Sequence, residues 1–429
     1  MSPALVLTRR RWCLGAALSA ICWSRVGASR ALETPPSLPE VTTPQVTAPR
    51  EEAVGLPPAP LAERAAPDNS SWTRVDLGHL RVTGDRVLAR TQQGEVAELT
   101  LDPELTRVAE RLLDQAHPVE GAALLIDVQT GRILVWAERR RGGPPGEVIT
   151  TARAPAASVF KLVTTAALYE KGDVQPQERV CISGGLRSIE RRHLDRPDGG
   201  PVSCGTFHDA LGFSRNAVFA QLATRRLLRD DLVDIAHRLG FNQELPFDWP
   251  VRVGELEVPY NDLEFARTAA GFRGSTLSPL GAAHLASVIA HNGVAQRFHL
   301  VRRTPNFEAP PEGEFVGRVF SAVTAARMAR MMEVTVHSGT SRQFFTDELG
   351  HSYLPGIRVA GKTGTLRPGS REEMTSWFTG FAPSRKPEVV VTVMLENGKI
   401  WRQKAAEVAR DVLRAYYARK GAKGVTPPG

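Results

Sequence analysis

Apolar runs with the length and composition of β-strands lie in two groups, far apart along the chain. Two of them, 122–128 and 133–136, are joined by a Gln-Thr-Gly turn, which is typical of a β-hairpin. Three more follow one another at 356–365, 374–381 and 389–395. These five runs therefore predict five strands.

The residues between the two groups of strands have mainly the apolar spacing of helices, above all within 158–300. Ahead of the first group, Asp102 precedes Pro103 and a helical repeat, so they are expected as the N-cap and first residue of a helix. Further helices are predicted at 217–229, 231–239, 278–292, 322–335 and 405–419. The pattern predicts an α+β domain, in which a central antiparallel sheet of about five strands is flanked by helices and carries a mainly helical lobe.

The first residues have the three-part layout of an export signal. Arg9, Arg10 and Arg11 precede a 12-residue apolar run, and small residues follow at 26–28. A membrane span needs roughly 20 apolar residues. The short run therefore favours a cleaved signal peptide over an uncleaved membrane anchor, and residues 1–31 are assigned to one or the other.

The rest of the chain divides by composition. Residues 32–70 contain nine prolines and no apolar periodicity, which predicts a semi-rigid linker. An alternating stretch predicts a small β-rich segment over 71–98. The main domain is assigned to 99–420, and the last residues, 421–429, are expected to form a flexible tail.

The positive charge of the chain is diffuse. Its 429 residues carry a formal net charge of +8, and arginine supplies most of the cations because only eight lysines are present. The arginines form no basic stripe with interleaved aromatic residues, so no nucleic-acid partner is predicted. A diffuse positive balance suits work near anionic membranes or cell-wall polymers.

Cys181 and Cys204 remain beyond the predicted signal. In an exported protein they are candidates for a disulfide, although two free buried thiols fit the sequence equally well. His193 and His208 lack the spacing of zinc ligands. Neither a metal site nor a cofactor is therefore predicted.

The first chemical motif, Ser-x-x-Lys, follows a proline. Ser158 and Lys161 come just after Pro155 and head a run of helix-forming residues, so Ser158 is expected in the first turn of a helix. Side chains three residues apart share a helix face. A hydroxyl beside an amine at a helix start is a workable activated nucleophile.

Two more motifs make the pattern specific. Ser214 and Asn216 form Ser-x-Asn just before a predicted helix, and the tripeptide Lys-Thr-Gly begins at Lys362, at the end of a predicted strand. Each motif alone is common. Their order and their placement on a helix start, an inter-helix turn and a strand are what carry the argument.

Ser-x-x-Lys, Ser-x-Asn and Lys-Thr-Gly are together the signatures of penicillin-binding proteins and serine β-lactamases. The chain resembles the transpeptidase domain of penicillin-binding proteins over about 99–419. The similarity extends to the stretches 99–105, 121–136, 359–365 and 377–383, which resemble the entry helix and four strands of that domain.

The resemblance implies a serine nucleophile and an acyl-enzyme. Ser158 would attack the carbonyl of a D-Ala-D-Ala stem peptide, with Lys161 as the neutral base that accepts its proton. Ser214 would relay a proton to the leaving amine, and Asn216 would hold Lys161 or the substrate amide. Burial and the charge of Lys362 would lower the pKa of Lys161.

The resemblance also implies a binding site for the carboxylate that ends the substrate. Lys362 belongs to the catalytic set, and Thr363, Gly364 and Thr365 are assigned to substrate binding. The backbone N–H groups of Ser158 and Thr365 resemble the oxyanion hole of the family. An amine from a second stem peptide would then take the acyl group, and β-lactam antibiotics would bind as covalent inhibitors.

Three alternatives stay open at this level. A D,D-carboxypeptidase or a serine β-lactamase would use water as the acceptor, although the chain has no Glu-x-x-Leu-Asn stretch for a water-activating glutamate. A non-catalytic β-lactam-sensing or wall-binding domain would keep the pocket without turnover. In each case the protein is expected outside the cytoplasm, in the periplasm or cell envelope, either released or tethered to the inner membrane by its N-terminus.

Overall fold

The structure is a computed structural model, and it describes residues 74–141, 147–195, 201–245, 247–367 and 372–424. The predicted signal or anchor, the proline-rich linker and the end of the predicted tail lie outside these ranges. Within them, no helix combines the length and apolar character that a membrane span requires.

The helices alternate with many short strands. The helices are α1 (Pro103–Ala116), α2 (Lys161–Glu170), α3 (Phe207–Gly212), α4 (Asn216–Arg226), α5 (Arg229–Arg238), α6 (Asp262–Ala269), α7 (Pro279–Ala290), α8 (Ala322–His337), α9 (Arg342–Phe345) and α10 (Ala405–Gly424). The strands are β1 (Arg81–Thr83), β2 (Arg86–Arg90), β3 (Val96–Leu99), β4 (Glu120–Asp127), β5 (Ile133–Arg140), β6 (Ala154–Pro155), β7 (Arg179–Ile182), β8 (Ser203–Thr206), β9 (Glu244–Leu245), β10 (Val251–Arg252), β11 (Gly254–Leu256), β12 (Ser275–Leu277), β13 (Val294–Gln296), β14 (Val301–Thr304), β15 (Phe307–Glu308), β16 (Phe315–Arg318), β17 (Ala360–Leu366), β18 (Met374–Ala382) and β19 (Val389–Asn397).

The central sheet has five antiparallel strands in the order β17-β18-β19-β4-β5. Strand β19, near the C-terminus, pairs with β4, which lies far earlier in the chain, so both groups of predicted strands complete one sheet. The predicted α+β class and the five-stranded sheet are confirmed.

Side chains of the sheet alternate between two cores, as the two-residue period of a strand requires. On β4, Leu124 and Ile126 belong to the core under the helical lobe, whereas Ala123 and Leu125 belong to the core on the opposite face. Both faces are covered. The sequences of these strands are therefore continuous apolar runs and do not alternate between apolar and polar residues.

Helices α1 and α10 cover the outer face of the sheet. Asp102 caps α1 by accepting hydrogen bonds from the backbone N–H groups of Glu104 and Leu105, with Pro103 in the first turn, as predicted. The second carboxylate oxygen of Asp102 accepts a hydrogen bond of 2.7 Å from Nε of Arg419. One capping residue therefore also fastens the C-terminal helix to the N-terminal one.

The helical lobe on the other face is less purely helical than the sequence predicts. Short strands from β6 to β13 lie between its helices, and most span only two or three residues. Such stretches are too short for an alternating pattern to show. At the centre of the lobe lie α2, buried from Lys161 to Tyr169, and α7, buried over its whole length.

The segment before α1 is joined to the domain by a second sheet, in the order β1-β2-β3-β14-β15. The last strand of this segment, β3, pairs with β14 from the main domain. Two carboxylate oxygens of the buried Glu98 on β3 pair with Arg302 and Arg303 on β14, at 3.1 and 2.8 Å. The β-rich segment is therefore continuous with the domain in hydrogen bonding.

Candidate active site

Ser158 lies in a 3₁₀ turn, Ala157–Phe160, immediately before α2. The prediction that Ser158 sits in the first α-helical turn is wrong by one turn, because α2 begins at Lys161. A 3₁₀ turn is a frequent N-terminal extension of an α-helix. The backbone of Ala157 has φ 50°, a left-handed conformation that a residue with a side chain adopts at some cost.

The turn is supported from behind by a close backbone approach. Gly271 has φ +80°, and a Cβ there would lie 2.1 Å from the carbonyl oxygen of Ala157. Only glycine fits such an approach. The indole of Trp377 donates a hydrogen bond of 2.9 Å to the carbonyl of Pro155 on β6 and so ties the residues just before the turn to β18.

Lys161 is fully buried, with its amine close to the hydroxyl of Ser158. Nζ lies 2.8 Å from Oγ of Ser158, 2.8 Å from Oδ1 of Asn216 and 2.6 Å from the carbonyl oxygen of Ala270. Burial first, and the nearby charge of Lys362 second, hold the pKa of Lys161 well below its ordinary value. The direction and both causes agree with the expectation from the sequence.

Ser214 and Asn216 lie in the turn between α3 and α4. Ser214 has φ 52°, and Asn216 begins α4. The side-chain amide of Asn216 spans two partners: Oδ1 accepts from Lys161, and Nδ2 donates a hydrogen bond of 2.6 Å to the carbonyl of Leu186. The orientation of this amide is therefore fixed from both sides.

Lys362 lies on β17, at the edge of the central sheet, and its side chain is fully buried. Nζ donates to Oγ of Ser214 at 3.1 Å and to the carbonyl of Thr363 at 2.7 Å. Burial lowers the pKa of Lys362 to about 7. Within the described ranges, no carboxylate pairs with this lysine or with Lys161.

The remaining predicted residues follow Lys362 along the same strand. Oγ1 of Thr363 is 2.6 Å from Oγ1 of Thr340, and Thr365 is exposed. A Cβ at Gly364 would lie 3.3 Å from both Ala157 and Trp377, so a side chain there would press on the 3₁₀ turn that contains Ser158. All eight predicted residues therefore meet at one seam between the helical lobe and the sheet.

Three partners in this site were not predicted as such. Thr340, at the Gly-Thr break after α8, hydrogen-bonds Thr363, and the carbonyls of Ala270 and Leu186 accept hydrogen bonds from Lys161 and Asn216. Backbone carbonyls leave no signal in side-chain motifs. The break after α8 is visible in the sequence, but nothing in it points to the site.

A disulfide joins Cys181 on β7 to Cys204 on β8, directly opposite each other in the hairpin. This settles the choice between a disulfide and free thiols that the sequence left open. The loop inside the hairpin contains Leu186, the partner of Asn216, and Ser214 follows β8 by way of α3. The covalent bond therefore closes the segment that flanks the Ser-x-Asn motif.

Comparison with known proteins identifies the family. The family model described as "Penicillin binding protein transpeptidase domain" matches residues 121–417. The chain is also 26% identical over 359 residues to the peptidoglycan D,D-transpeptidase PbpA of Mycobacterium tuberculosis, covering 74% of this chain and 70% of that protein. It is 24% identical to the stage V sporulation protein D of Bacillus subtilis, covering 74% of this chain and 52% of that protein.

Solved structures give the same answer. A D,D-transpeptidase domain of a peptidoglycan glycosyltransferase from Eggerthella lenta superposes with a TM-score of 0.60 at 25% identity, covering 76% of this chain and 84% of that chain. Penicillin-binding protein A from M. tuberculosis, in its ceftriaxone acyl-enzyme complex, shares the fold with a TM-score of 0.58 at 21% identity, covering 74% and 79% of the two chains. The chain belongs to the penicillin-binding protein transpeptidase domain family.

Proposed function

We propose that this protein is a serine D,D-transpeptidase, which cross-links peptidoglycan stem peptides through an acyl-enzyme on Ser158 and is itself acylated by penicillin. One observation carries the proposal. The amine of Lys161 is buried 2.8 Å from Oγ of Ser158 with its pKa held well below the ordinary value, and carbonyl oxygens of Asn216 and Ala270 occupy its other contacts. A neutral amine has two N–H bonds and one lone pair, so the lone pair is left for the hydroxyl proton of Ser158.

In the first half-reaction, the bond between Oγ of Ser158 and the penultimate D-Ala carbonyl carbon forms as the proton passes to Lys161. The bond from that carbon to the terminal D-Ala nitrogen then breaks. Ser214, which accepts a hydrogen bond from Lys362, is placed to pass a proton to the departing amine. The backbone N–H groups of Ser158 and Thr365 are assigned to the developing oxyanion.

Substrate binding is assigned to the edge of the sheet. Strand β17 pairs only with β18 within the described sheet, so its other edge can accept an extended peptide. We assign Lys362, Thr363 and Thr365 to the terminal carboxylate of the substrate. With a pKa of about 7, Lys362 can bind that carboxylate as a cation without the cost of a permanently buried charge.

The acceptor separates transpeptidase from D,D-carboxypeptidase and β-lactamase, which hydrolyse the acyl-enzyme. Fast hydrolysis needs a base for water. Within the described ranges, no carboxylate is hydrogen-bonded to Ser158, Lys161 or Ser214. A long-lived acyl-enzyme that waits for an amine is the outcome favoured by this arrangement.

The relatives named for peptidoglycan synthesis act outside the cytoplasm, and the same location is inferred for this chain. The disulfide between Cys181 and Cys204 supports an oxidising compartment. Export by residues 1–31, the periplasm or envelope as the site of action and a tether to the inner membrane stay predictions.

A fluorescent penicillin tests the proposal. Wild-type protein should give a covalent band that survives denaturation and persists for at least about an hour, whereas Ser158→Ala should give none. Ser203→Ala, an exposed serine on β8, serves as the matched control and should label like wild type. An unlabelled wild type would favour the non-catalytic interpretation, and rapid loss of the label would favour a β-lactamase.

A further inference from the structure

A cleft of about 690 Å³ lies along the last two turns of α8. Helix α9 and the segment that leads into β17 form its other walls. Ser338 is one of its lining residues, and Thr340, two residues further on, hydrogen-bonds Thr363. The cleft therefore comes within two residues of the side of the site that is assigned to the substrate carboxylate.

The cleft is strongly basic. Glu333 is the only carboxylate among its lining residues, and it is engaged by Arg358 at 3.8 Å and by the hydroxyl of Ser384. In the part of the chain that the structure describes, Arg330 and Arg342 have no carboxylate partner. The basic side chains of the lining are His208, Arg330, His337, Arg342 and Arg358.

The chemistry of acyl transfer indicates where the acceptor peptide must lie. The acceptor amine attacks the acyl carbonyl from the position that the departing D-Ala nitrogen has left, because aminolysis is the reverse of the acylation step. The carboxylate of the departing D-Ala is assigned to Thr363 and its neighbours. The chain that carries the acceptor amine must therefore lead away on the side of Thr340, which hydrogen-bonds Thr363 and follows the cleft residue Ser338 by two positions.

We propose that the cleft binds the acceptor stem peptide, and that Arg330 and Arg342 recognise its carboxylates. This inference rests on the proposed transpeptidase function. In the transfer step, the acceptor nitrogen forms a bond to the acyl carbon, and the ester bond to Oγ of Ser158 breaks. The proton that the nitrogen loses returns to Oγ through Lys161.

The test separates the two half-reactions. A thioester donor ending in D-Ala acylates the enzyme, and the ratio of peptide transfer to hydrolysis is measured with three acceptors. These are a lysine-containing tetrapeptide with a glutamate, the same peptide with glutamine in place of glutamate, and free D-alanine. The variant is Arg330→Ala combined with Arg342→Ala, and the control is Arg327→Ala, on the same helix but outside the cleft lining.

The double variant should lose about tenfold or more in transfer to the glutamate peptide, since hydrogen bonds between charged groups are the strong ones. Transfer to D-alanine and labelling by fluorescent penicillin should stay within about twofold of wild type, and the glutamine peptide should respond less than the glutamate peptide. Arg327→Ala should change none of them.

Equal transfer to the glutamate peptide by wild type and double variant would overturn the proposal that the cleft binds the acceptor. The proposed transpeptidase function would be unaffected by that result. An equal fall for all three acceptors would overturn it too, because it would indicate a general disturbance of the site. A wild type that penicillin does not label would instead overturn the proposed function itself.

Discussion

The site contains two fully buried lysines that come from different halves of the domain, and their surroundings differ. Lys161, from the helical lobe, contacts one hydroxyl and two carbonyl oxygens. Lys362, from the sheet, contacts one hydroxyl and one carbonyl oxygen. The pKa of Lys161 is lowered well below its ordinary value, whereas that of Lys362 is lowered to about 7.

The difference assigns separate tasks to two residues of the same type. With two carbonyl acceptors and a low pKa, Lys161 is suited to act as a base towards Ser158. With only two acceptors and a pKa near neutrality, Lys362 keeps a donor for a ligand carboxylate. Because the charge of Lys362 lowers the pKa of Lys161, a residue of the sheet also affects the residue that we propose as the base.

The largest expected effect comes from removing the amine of Lys161, the proposed base. Lys161→Met should slow acylation by penicillin by about 10²- to 10⁴-fold, the range for general acid–base catalysis. It should also raise the melting temperature, since the apolar side chain removes a buried amine. Stopped-flow labelling and thermal unfolding measure the two effects.

Lys171→Met, one residue past the end of α2 and ion-paired with Asp234 on the surface, is the matched control for Lys161→Met. It should leave acylation unchanged. If Lys161→Met labelled within about threefold of wild type, the base would have to be another group.

The second effect is a pH dependence in which activity and stability move in opposite directions. The rate constant for acylation by a carboxylate-bearing penicillin should fall as pH rises through about 7, because Lys362 loses its charge there. Stability should rise from about pH 7 to about 10, since the unfolded chain, with a lysine pKa of about 10, binds more protons over that window.

Lys362→Met tests both the pH dependence of acylation and the pH dependence of stability. Acylation by this variant should be lower by about tenfold to a hundredfold at pH 6 and should lose the decline around pH 7. Its stability should exceed that of wild type most at low pH, and the advantage should shrink towards pH 10. If the acylation rate constant of Lys362→Met still declined around pH 7, the decline would have to come from the titration of another group.

A smaller effect on acylation is expected from loss of the contact between Thr340 and Thr363, which the sequence motifs do not reveal. Thr340→Val removes the hydrogen bond to Thr363 with little change in volume, so acylation should fall by about tenfold, the equivalent of one hydrogen bond. Thr346→Val, whose hydroxyl bonds only a carbonyl of α9, is the control. Acylation of Thr340→Val at the wild-type rate would remove Thr340 from the site.

Removal of the disulfide is expected to have the smallest effect on activity but a large effect on stability. Replacing both Cys181 and Cys204 by alanine should lower the free energy of unfolding by about 3 kcal/mol, the loop-closure value for such a spacing. Acylation should fall by less than about threefold, because Asn216 keeps its bonds to Lys161 and Leu186. Denaturant unfolding measures the first quantity and penicillin labelling the second. A larger fall in acylation would mean that the hairpin holds the amide in place.

The five strands of the central sheet, the capped first helix and the three motifs that contain the eight assigned residues could be recognised in the sequence because each leaves a local signal. Asp102 before Pro103 marks a helix start, and Lys-Thr-Gly follows an apolar strand. The single sheet of about five strands followed from the placement of apolar runs at both ends of the domain, whereas the order of its strands was not predicted.

What the sequence did not show depends on distant or backbone contacts. Ala157 and Ser214 have positive φ angles, although neither is a glycine, and the surrounding fold imposes them. The carbonyl of Ala270 reaches Lys161 only because Gly271 lets the chain approach the 3₁₀ turn that contains Ser158. The pairing of Cys181 with Cys204 depends on the register of β7 and β8.

The pairing of β4 with β19 has a consequence for biosynthesis. Residues 120–127 can complete the sheet only after residues 389–397 have been made, so this long-range pairing forms late in the synthesis of the domain. A chain that stops before residue 389 would contain all eight site residues, yet it would leave the edges of β4 and β18 without a partner. Unpaired edges invite aggregation. Truncated products of translation should therefore be recovered as insoluble protein rather than as a weakly active enzyme.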